Sequence, residues 1–285
     1  MSVVAHEGVR AVRAALADGA ALLAAAGCDT PRLDAEVLLA HAAGTSRERL
    51  LLEQDELYGT VARAFESALA RRARTREPVA YIIGRRAFRR LELAVDRRAL
   101  IPRPETELLV DVGLRLPRGA AVIDVGTGCG AVALALAKER PDLRVSAGEL
   151  SPQALALASE NARALGIDIT LRRADLLSGL PDEFDAVLAN LPYVAEGERE
   201  LLAPEIAHEP PLALFAGADG LDAIRALIAQ AAPRERVELL ALEVGAGQAG
   251  AVAALLRQRR FARVQIERDL AGIERVVVGV RREDG

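Results

Sequence analysis

The chain has 285 residues and no tryptophan, and its aromatic residues amount to only 3%. A core must therefore be built from Ala, Leu, Val and Ile. The hydrophobic share of 51% is enough to do so and excludes global disorder. Cysteine is just as scarce. Cys28 and Cys129 stand far apart without a CxxC pairing, so neither a disulfide framework nor a metal site is expected. No apolar run reaches the ~18 uncharged residues that a membrane span requires. The start, "MSVVAHEGVRAVR", lacks the basic and then apolar succession of a secretion signal, so the expected location is the cytoplasm. An excess of basic charge is missing too, since 37 Lys and Arg face 41 Asp and Glu. A protein that grips many phosphates shows a basic domain or stripe. Neither a membrane nor a direct nucleic-acid partner is expected, and the chain is expected to act as a monomer.

What is present divides into three stretches. Residues 1–76 read as a small helical domain, expected to recognise substrate. "GVRAVRAALADGAALLAAAG" keeps apolar residues at helical spacing. In "DTPRLDAEVLLAHAAG", Thr30 suits an N-cap, Pro31 the first turn and Gly44 a stop. "SRERLLLEQ" and "TVARAFESALARRARTR" predict two more helices, and the cluster Arg71, Arg72, Arg74 and Arg76 reads first as a solvated helix end and second as a contact surface. Residues 77–104 read as a linker, with a short helix in "EPVAYIIG" and a β-hairpin in "AFRRLELAV". Residues 105–285 read as a catalytic domain. There strands alternate with helices, which implies a mostly parallel sheet covered on both faces. The last two strands, "ARVQIERDL" and "ERVVVGVR", are separated by only a few residues. A parallel crossover needs a dozen or more, so this pair is expected to be antiparallel. The pattern fits an α/β fold of the class I methyltransferase type better than a plain dinucleotide-binding fold.

"DVGTGCGAVALALA" places Gly126, Thr127, Gly128, Cys129 and Gly130 between the first strand of that domain and its helix. Glycines let the backbone turn tightly and approach a ligand. Read as GxGxxA the loop fits a dinucleotide; read as GxGxG it fits S-adenosylmethionine. Glu149 ends the next strand, where an acid takes the ribose hydroxyls of either cofactor. Asp175 and Leu176 follow the third strand, at the expected adenine edge and face. Asp124 suits either a contact to the cofactor's amino group or the bracing of the loop. Cys129 reads as a small filler, because no activating base accompanies it.

"FDAVLANLPYV" ends a buried strand in Asn190, Leu191, Pro192 and Tyr193. Such a tetrad suits methyl transfer to a planar nitrogen. The lone pair of that nitrogen is delocalised, and acceptors aimed at its N–H groups favour the charge that develops there. Asn190 offers a side-chain carbonyl, residue 191 a backbone carbonyl, and Tyr193 a ring that can stack on a flat group. Pro192 restricts Leu191 to an extended conformation. No strong base is needed, so His6, His41 and His208 read as surface or structural residues. Taken alone, the Leu spelling leans toward adenosine in ribosomal RNA.

The chain resembles the protein-(glutamine-N5) methyltransferases of the HemK family over nearly its whole length. "EPVAYIIGRRAF" with "LIPRPETELLVD" is the most specific part, joined by the glycine loop, "NLPY", "EPPLALFAGADGLDAIRALI", "LEVGAGQAGAVAALL" and "DLAGIERVVVG". The resemblance implies S-adenosylmethionine held by Gly126 to Gly130, Glu149 and the Leu176 position. It implies that Asn190 and the following backbone hold the glutamine of the Gly-Gly-Gln loop of class I peptide chain release factors. Leu191 stands where the family has a first proline, which loses a backbone restriction and predicts a less rigid site. Three rival readings are an RNA adenosine N6-methyltransferase, a nicotinamide-dependent oxidoreductase and a non-enzymatic binding module. The net acidic charge and the leading helical domain oppose the first, the tetrad and the antiparallel last pair oppose the second, and the intact tetrad opposes the third. Leu191→Pro is expected to leave the methylated substrate unchanged in an assay offering both release factor and RNA, and a switch to RNA would contradict this.

Overall fold

The computed structural model describes residues 10–53 and 56–281. His6 and the end of the expected third helix at Gln54 lie outside the described residues. Two compact units emerge, one comprising the chain up to Gly84 with Ala203–His208, the other comprising Arg85–Leu202 and the chain from Glu209 onward.

The first unit is helical. A short strand β1 (Arg10–Ala11) pairs antiparallel with β2 (Glu56–Leu57) beside helices α1 (Val12–Ala25), α2 (Pro31–Ala42), α3 (Arg47–Glu53), α4 (Gly59–Thr75) and α5 (Val79–Ile83). Its core collects Leu23, Leu38, Leu39, Leu50 and Phe65, all nearly inaccessible. Each fully buried Leu contributes about 2 kcal/mol. Pro31 sits in the first turn of α2, and Thr30 occupies the N-cap position. Its hydroxyl does not cap, however. It donates to Asp34 Oδ1 at 2.7 Å.

The arginines at the end of α4 correct the expectation of a solvated helix end. Arg74 is exposed, but Arg72 is buried. Arg72 Nε donates to Asp34 Oδ2 at 2.8 Å, and its Nη1 donates to Glu205 Oε1 at 2.8 Å. Arg76 adopts a left-handed backbone (φ 57°) and donates to the same Glu205 oxygen and to the Ala26 carbonyl. The partners lie 38 to 133 residues away, beyond the reach of helical periodicity. His208 Nε2 meets the Thr75 carbonyl at 2.6 Å.

The second unit opens with the hairpin β3 (Arg85–Phe88) and β4 (Leu91–Ala94). Helix α6 (Glu107–Leu114) leads into β5 (Ala121–Val125), α7 (Ala131–Glu139), β6 (Arg144–Glu149), α8 (Pro152–Leu165), β7 (Thr170–Arg173) and β8 (Ala186–Ala189). After α9 (Asp222–Ala231) come β9 (Leu239–Glu243), α10 (Ala249–Gln258), β10 (Arg263–Arg268) and β11 (Glu274–Val280). Arg89 at the hairpin turn ties it down, donating from Nε and Nη2 to Glu139 and from Nη1 to Asp111.

The strand order is β10-β11-β9-β8-β5-β6-β7. Strands β5 to β9 run parallel, and β11 is antiparallel to both β9 and β10, as the short connection requires. This is the class I methyltransferase sheet expected from the sequence. The chain builds outward from β5 through β6 and β7, then returns to β5's other side with β8. That reversal opens a crevice beyond the carboxyl ends of β5 and β8, where such sheets bind ligands. Every residue of β5 and of β8 is buried, as central parallel strands must be. No helix among the described residues is long and apolar enough to cross a membrane.

Arg72→Ala is expected to destabilise the helical unit by about 3 kcal/mol, because Asp34 and Glu205 lose their buried counter-charge. Urea unfolding would read this as a lowered midpoint. A loss below about 1 kcal/mol would class the network with ordinary surface bridges.

Candidate active site

A cavity of about 430 Å³ fills the crevice. Register places its two walls side by side, since Val125 of β5 pairs with both Gly148 of β6 and Ala189 of β8. The glycine loop and the tetrad therefore leave the sheet at one level. Gly126, Thr127, Gly128, Cys129, Glu149, Asp175, Leu176, Asn190, Leu191 and Pro192 all line the cavity. Gly130 and Tyr193 are not among its lining residues.

The loop is braced from beneath. Asp124 Oδ2 accepts from Thr127 Oγ1 at 2.6 Å and from the Ala133 amide at 3.3 Å. Of its two sequence roles, loop bracing is the one these contacts display. Burial pushes its carboxyl up to about 6. Glu149 spans the cavity floor, accepting from the Gly128 amide on Oε2 and from the Ser151 amide on Oε1, each at 2.9 Å. Gly126 has φ +73°, and a Cβ there would stand 3.0 Å from Leu191 Cδ2. Leu176 also takes a left-handed backbone (φ 55°). A non-glycine residue bears a cost of about 1–2 kcal/mol for that conformation. Burial pushes the Cys129 thiol up to about 12, which suits a filler and not a nucleophile.

The tetrad is clamped by residues that sequence reasoning missed. Asn190 Nδ2 donates to Thr106 Oγ1 at 3.0 Å. Thr106 is itself buried, as is Glu243 at the end of β9. Gln248 Nε2 donates to the Tyr193 carbonyl at 2.9 Å, while its Oε1 accepts from the Gly245 amide at 2.8 Å. A Cβ on Gly220 (φ +74°) would lie 2.1 Å from the Tyr193 carbonyl oxygen, so only glycine fits there. The Tyr193 ring packs against Gly245, and burial pushes its phenol up to about 12. Leu191 is 5% exposed and joins the core with Val125, Leu221 and Val244. Its side chain supplies by packing an anchorage that a proline would supply by ring geometry.

Two further polar residues connect the motifs. Glu209 is almost wholly buried, accepting from the Ile101 amide at 3.0 Å and pairing with Arg103. It thereby joins "EPPLALF" to "IPRPETE". Asn161 of α8 accepts from the Ala94 amide at 2.8 Å and donates to the carbonyls of Ala94 and Cys129. It fastens the end of the hairpin to the glycine loop. These are single buried polar residues without periodicity; Asn161's only sequence signal was a polar residue on an otherwise apolar helix face, and Glu209, outside any helix, gave none.

Asn161→Ala removes the three hydrogen bonds of a buried side chain, each worth about 1 kcal/mol net. The expected outcome is a loss of about 2–4 kcal/mol in urea unfolding together with weaker cofactor binding by calorimetry. Unchanged values for both would show that the loop holds its shape without this residue.

Comparison with known proteins places these features. Residues 14–84 match the family profile "PrmC N-terminal domain", and residues 104–219 match "Methyltransferase small domain". The release factor glutamine methyltransferase of Cereibacter sphaeroides is 47% identical, over 90% of this chain and 93% of its own length. That of Deinococcus radiodurans is 40% identical, over 93% and 97%. Among solved structures, the hMettl16 catalytic domain aligns with TM-score 0.58 at 14% identity, covering 86% of this chain and 93% of that one. The T. thermophilus 16S rRNA methyltransferase RsmC, solved with AdoMet and guanosine, aligns with TM-score 0.52 at 21% identity, covering 70% and 50%. At such identities the structural likenesses speak for the fold alone. The fold, the motifs and the relatives agree: the chain is a methyltransferase and belongs to the release factor glutamine methyltransferase family.

Proposed function

We propose that this enzyme transfers a methyl group from S-adenosylmethionine to the side-chain amide nitrogen of the glutamine in the Gly-Gly-Gln motif of class I peptide chain release factors. The observation that carries the reading is the hold on Asn190. Its Nδ2 is engaged by Thr106, which leaves the acceptor Oδ1 for whatever enters the cavity.

The cavity suits the cofactor. Its volume lies within the range of about 300–1,000 Å³ for small-molecule clefts. Gly126 lines it with a left-handed turn that glycine adopts freely, Glu149 offers carboxylate oxygens for ribose hydroxyls, and Leu176 presents an apolar surface beside Asp175 for a flat base. Bound there, S-adenosylmethionine supplies a methyl group on positively charged sulfur. The protein's own part is positioning. Asn190 Oδ1 and the Leu191 carbonyl accept from the two N–H groups of the substrate amide. This favours positive charge on nitrogen as the new bond forms and orients the lone pair. The proton can leave after transfer, so no strong base is required.

The rest of the cavity wall suits a peptide. Pro192, Pro210, Leu212 and Phe215 give it an apolar side, with the Arg199 guanidinium stacked 3.8 Å over the Phe215 ring. The helical unit is assigned release-factor recognition, and the enzyme is assigned to the cytoplasm as a monomer. Relatives that share nearly its full length carry the release-factor name. That supports a protein substrate over the RNA reading suggested by the leucine in the tetrad.

Methyl-labelled S-adenosylmethionine, offered with a release factor or with ribosomal RNA, should label only the protein, within the Gly-Gly-Gln peptide. Asn190→Ala should lower transfer by about 100-fold or more while leaving cofactor affinity within a few-fold. Label in RNA, or none in that peptide, would overturn the reading.

A further inference from the structure

The tetrad is held at two points, and the Leu191 carbonyl lies between them. At one end Thr106 holds the Asn190 side chain. At the other, Gln248 holds the Tyr193 carbonyl. Gln248 occupies the N-cap position of α10, yet its side chain caps nothing there. Its amide joins three loops instead. Nε2 donates to the Tyr193 carbonyl at 2.9 Å and to the Asp219 carbonyl at 3.3 Å, and Oε1 accepts from the Gly245 amide at 2.8 Å. These partners fix which end of the amide is which. Two carbonyls need donors and an N–H needs an acceptor, so only one orientation satisfies all three. The backbone is cleared for it on both sides. A Cβ on Gly220 would stand 2.9 Å from Nε2, and one on Gly245 would stand 3.0 Å from Oε1.

We infer that Gln248 is a positioning residue for methyl transfer, fixing the tetrad backbone through its two N–H groups so that the Leu191 carbonyl faces the substrate amide. The inference rests on the reading that this carbonyl accepts from a glutamine N–H group. A carbonyl reserved for substrate takes its aim from the chain on either side. Pro192 fixes one dihedral after it. Further on, Val194 donates to the Leu214 carbonyl at 2.9 Å and accepts from the Ala216 amide at 3.0 Å. The Tyr193 carbonyl lies between these two restraints, and Gln248 holds it there. Gln248 is not among the cavity's lining residues, so it acts through the tetrad.

Gln248→Glu separates donation from shape. It keeps the acceptor for Gly245 but aims a carboxylate oxygen at two carbonyls, and that repulsion opens the clamp. The same carbonyls favour the protonated form, so the new carboxyl is raised above its ordinary ~4.3. Once protonated it donates to the Tyr193 carbonyl again, so lowering the pH restores the hold. Other charged groups face these loops. Arg225 holds Asp219 down to about 2 by hydrogen bonding, and also pairs with Asp222 of α9. Burial pushes the Tyr193 phenol up to about 12. Arg103, Glu105, Arg275 and Glu243 face Tyr193, and burial pushes the Glu243 carboxyl up to about 7. Dividing each variant by wild type at the same pH removes that shared contribution.

The test measures kcat, cofactor affinity and the urea midpoint on the full-length enzyme. Gln248→Met, close in length but without donors, should lower kcat about 10- to 100-fold with cofactor affinity within about threefold. Gln248→Glu should be as slow at about pH 8, and its kcat relative to wild type should rise about fivefold or more by about pH 5.5. The methionine variant has nothing to protonate, so its ratio should stay flat. The glutamate ratio decides the matter alone if the methionine variant does not fold. A methionine variant with kcat within about twofold of wild type, whatever its urea midpoint, would leave Gln248 a staple of stability at most and overturn the inference. A glutamate ratio that stays flat or falls toward acid would overturn it too. Should wild type label a nitrogen other than glutamine's, the substrate reading falls, and the same ratios on that substrate still decide the role of Gln248.

Discussion

The level at which β5 and β8 end is the constraint on which the site depends. Their register pairs Val125 with Ala189, so the glycine loop and the tetrad emerge side by side at the point where strand order reverses. Slipping either strand by one residue would reverse every side chain in a layer that is buried throughout. The core thus holds the relative height of cofactor loop and tetrad, and Leu191 contributes to both. It is a core residue and also the contact that a Cβ on Gly126 would strike. Loop and tetrad are packed against one another before any ligand arrives.

Polar residues then convert packing into orientation. Asn190 is held through Thr106, the Tyr193 carbonyl through Gln248, and the segment around Ile101 and Arg103 through Glu209. Each brings together stretches about 55 to 108 residues apart in the chain. Buried polar groups are costly unless paired, so such pairs specify one arrangement and penalise others. The same logic governs the helical unit, where Arg72 and Arg76 converge on Glu205. Both units thus use arginine or amide side chains to fasten chain segments that hydrophobic contacts alone would leave free to slide.

Much of this was legible in the sequence because it is local. The strand–helix alternation, the glycine loop and the tetrad each declare themselves within a dozen residues. The antiparallel last pair followed from the brevity of its connection. The arginine cluster was misread for the complementary reason. From the helix alone, Arg72 and Arg74 look equivalent, and only the distant Asp34 and Glu205 make one buried and the other exposed. Thr106, Asn161 and Gln248 escaped notice in the same way, since a single polar residue carries no periodic signal. Leu191 is intermediate. Its backbone role was readable, whereas its burial against the glycine loop, which offsets the missing proline ring, depends on a contact 65 residues away in the chain.

The account turns on the direction in which the Asn190 amide points. A crystal structure of the enzyme with S-adenosylhomocysteine and a Gly-Gly-Gln peptide would examine that direction. It should place the glutamine side-chain nitrogen within about 3 Å of both Asn190 Oδ1 and the Leu191 carbonyl, with Asn190 Nδ2 still on Thr106. Glutamine nitrogen bound elsewhere, or an Asn190 side chain swung off Thr106 in the complex, would contradict it.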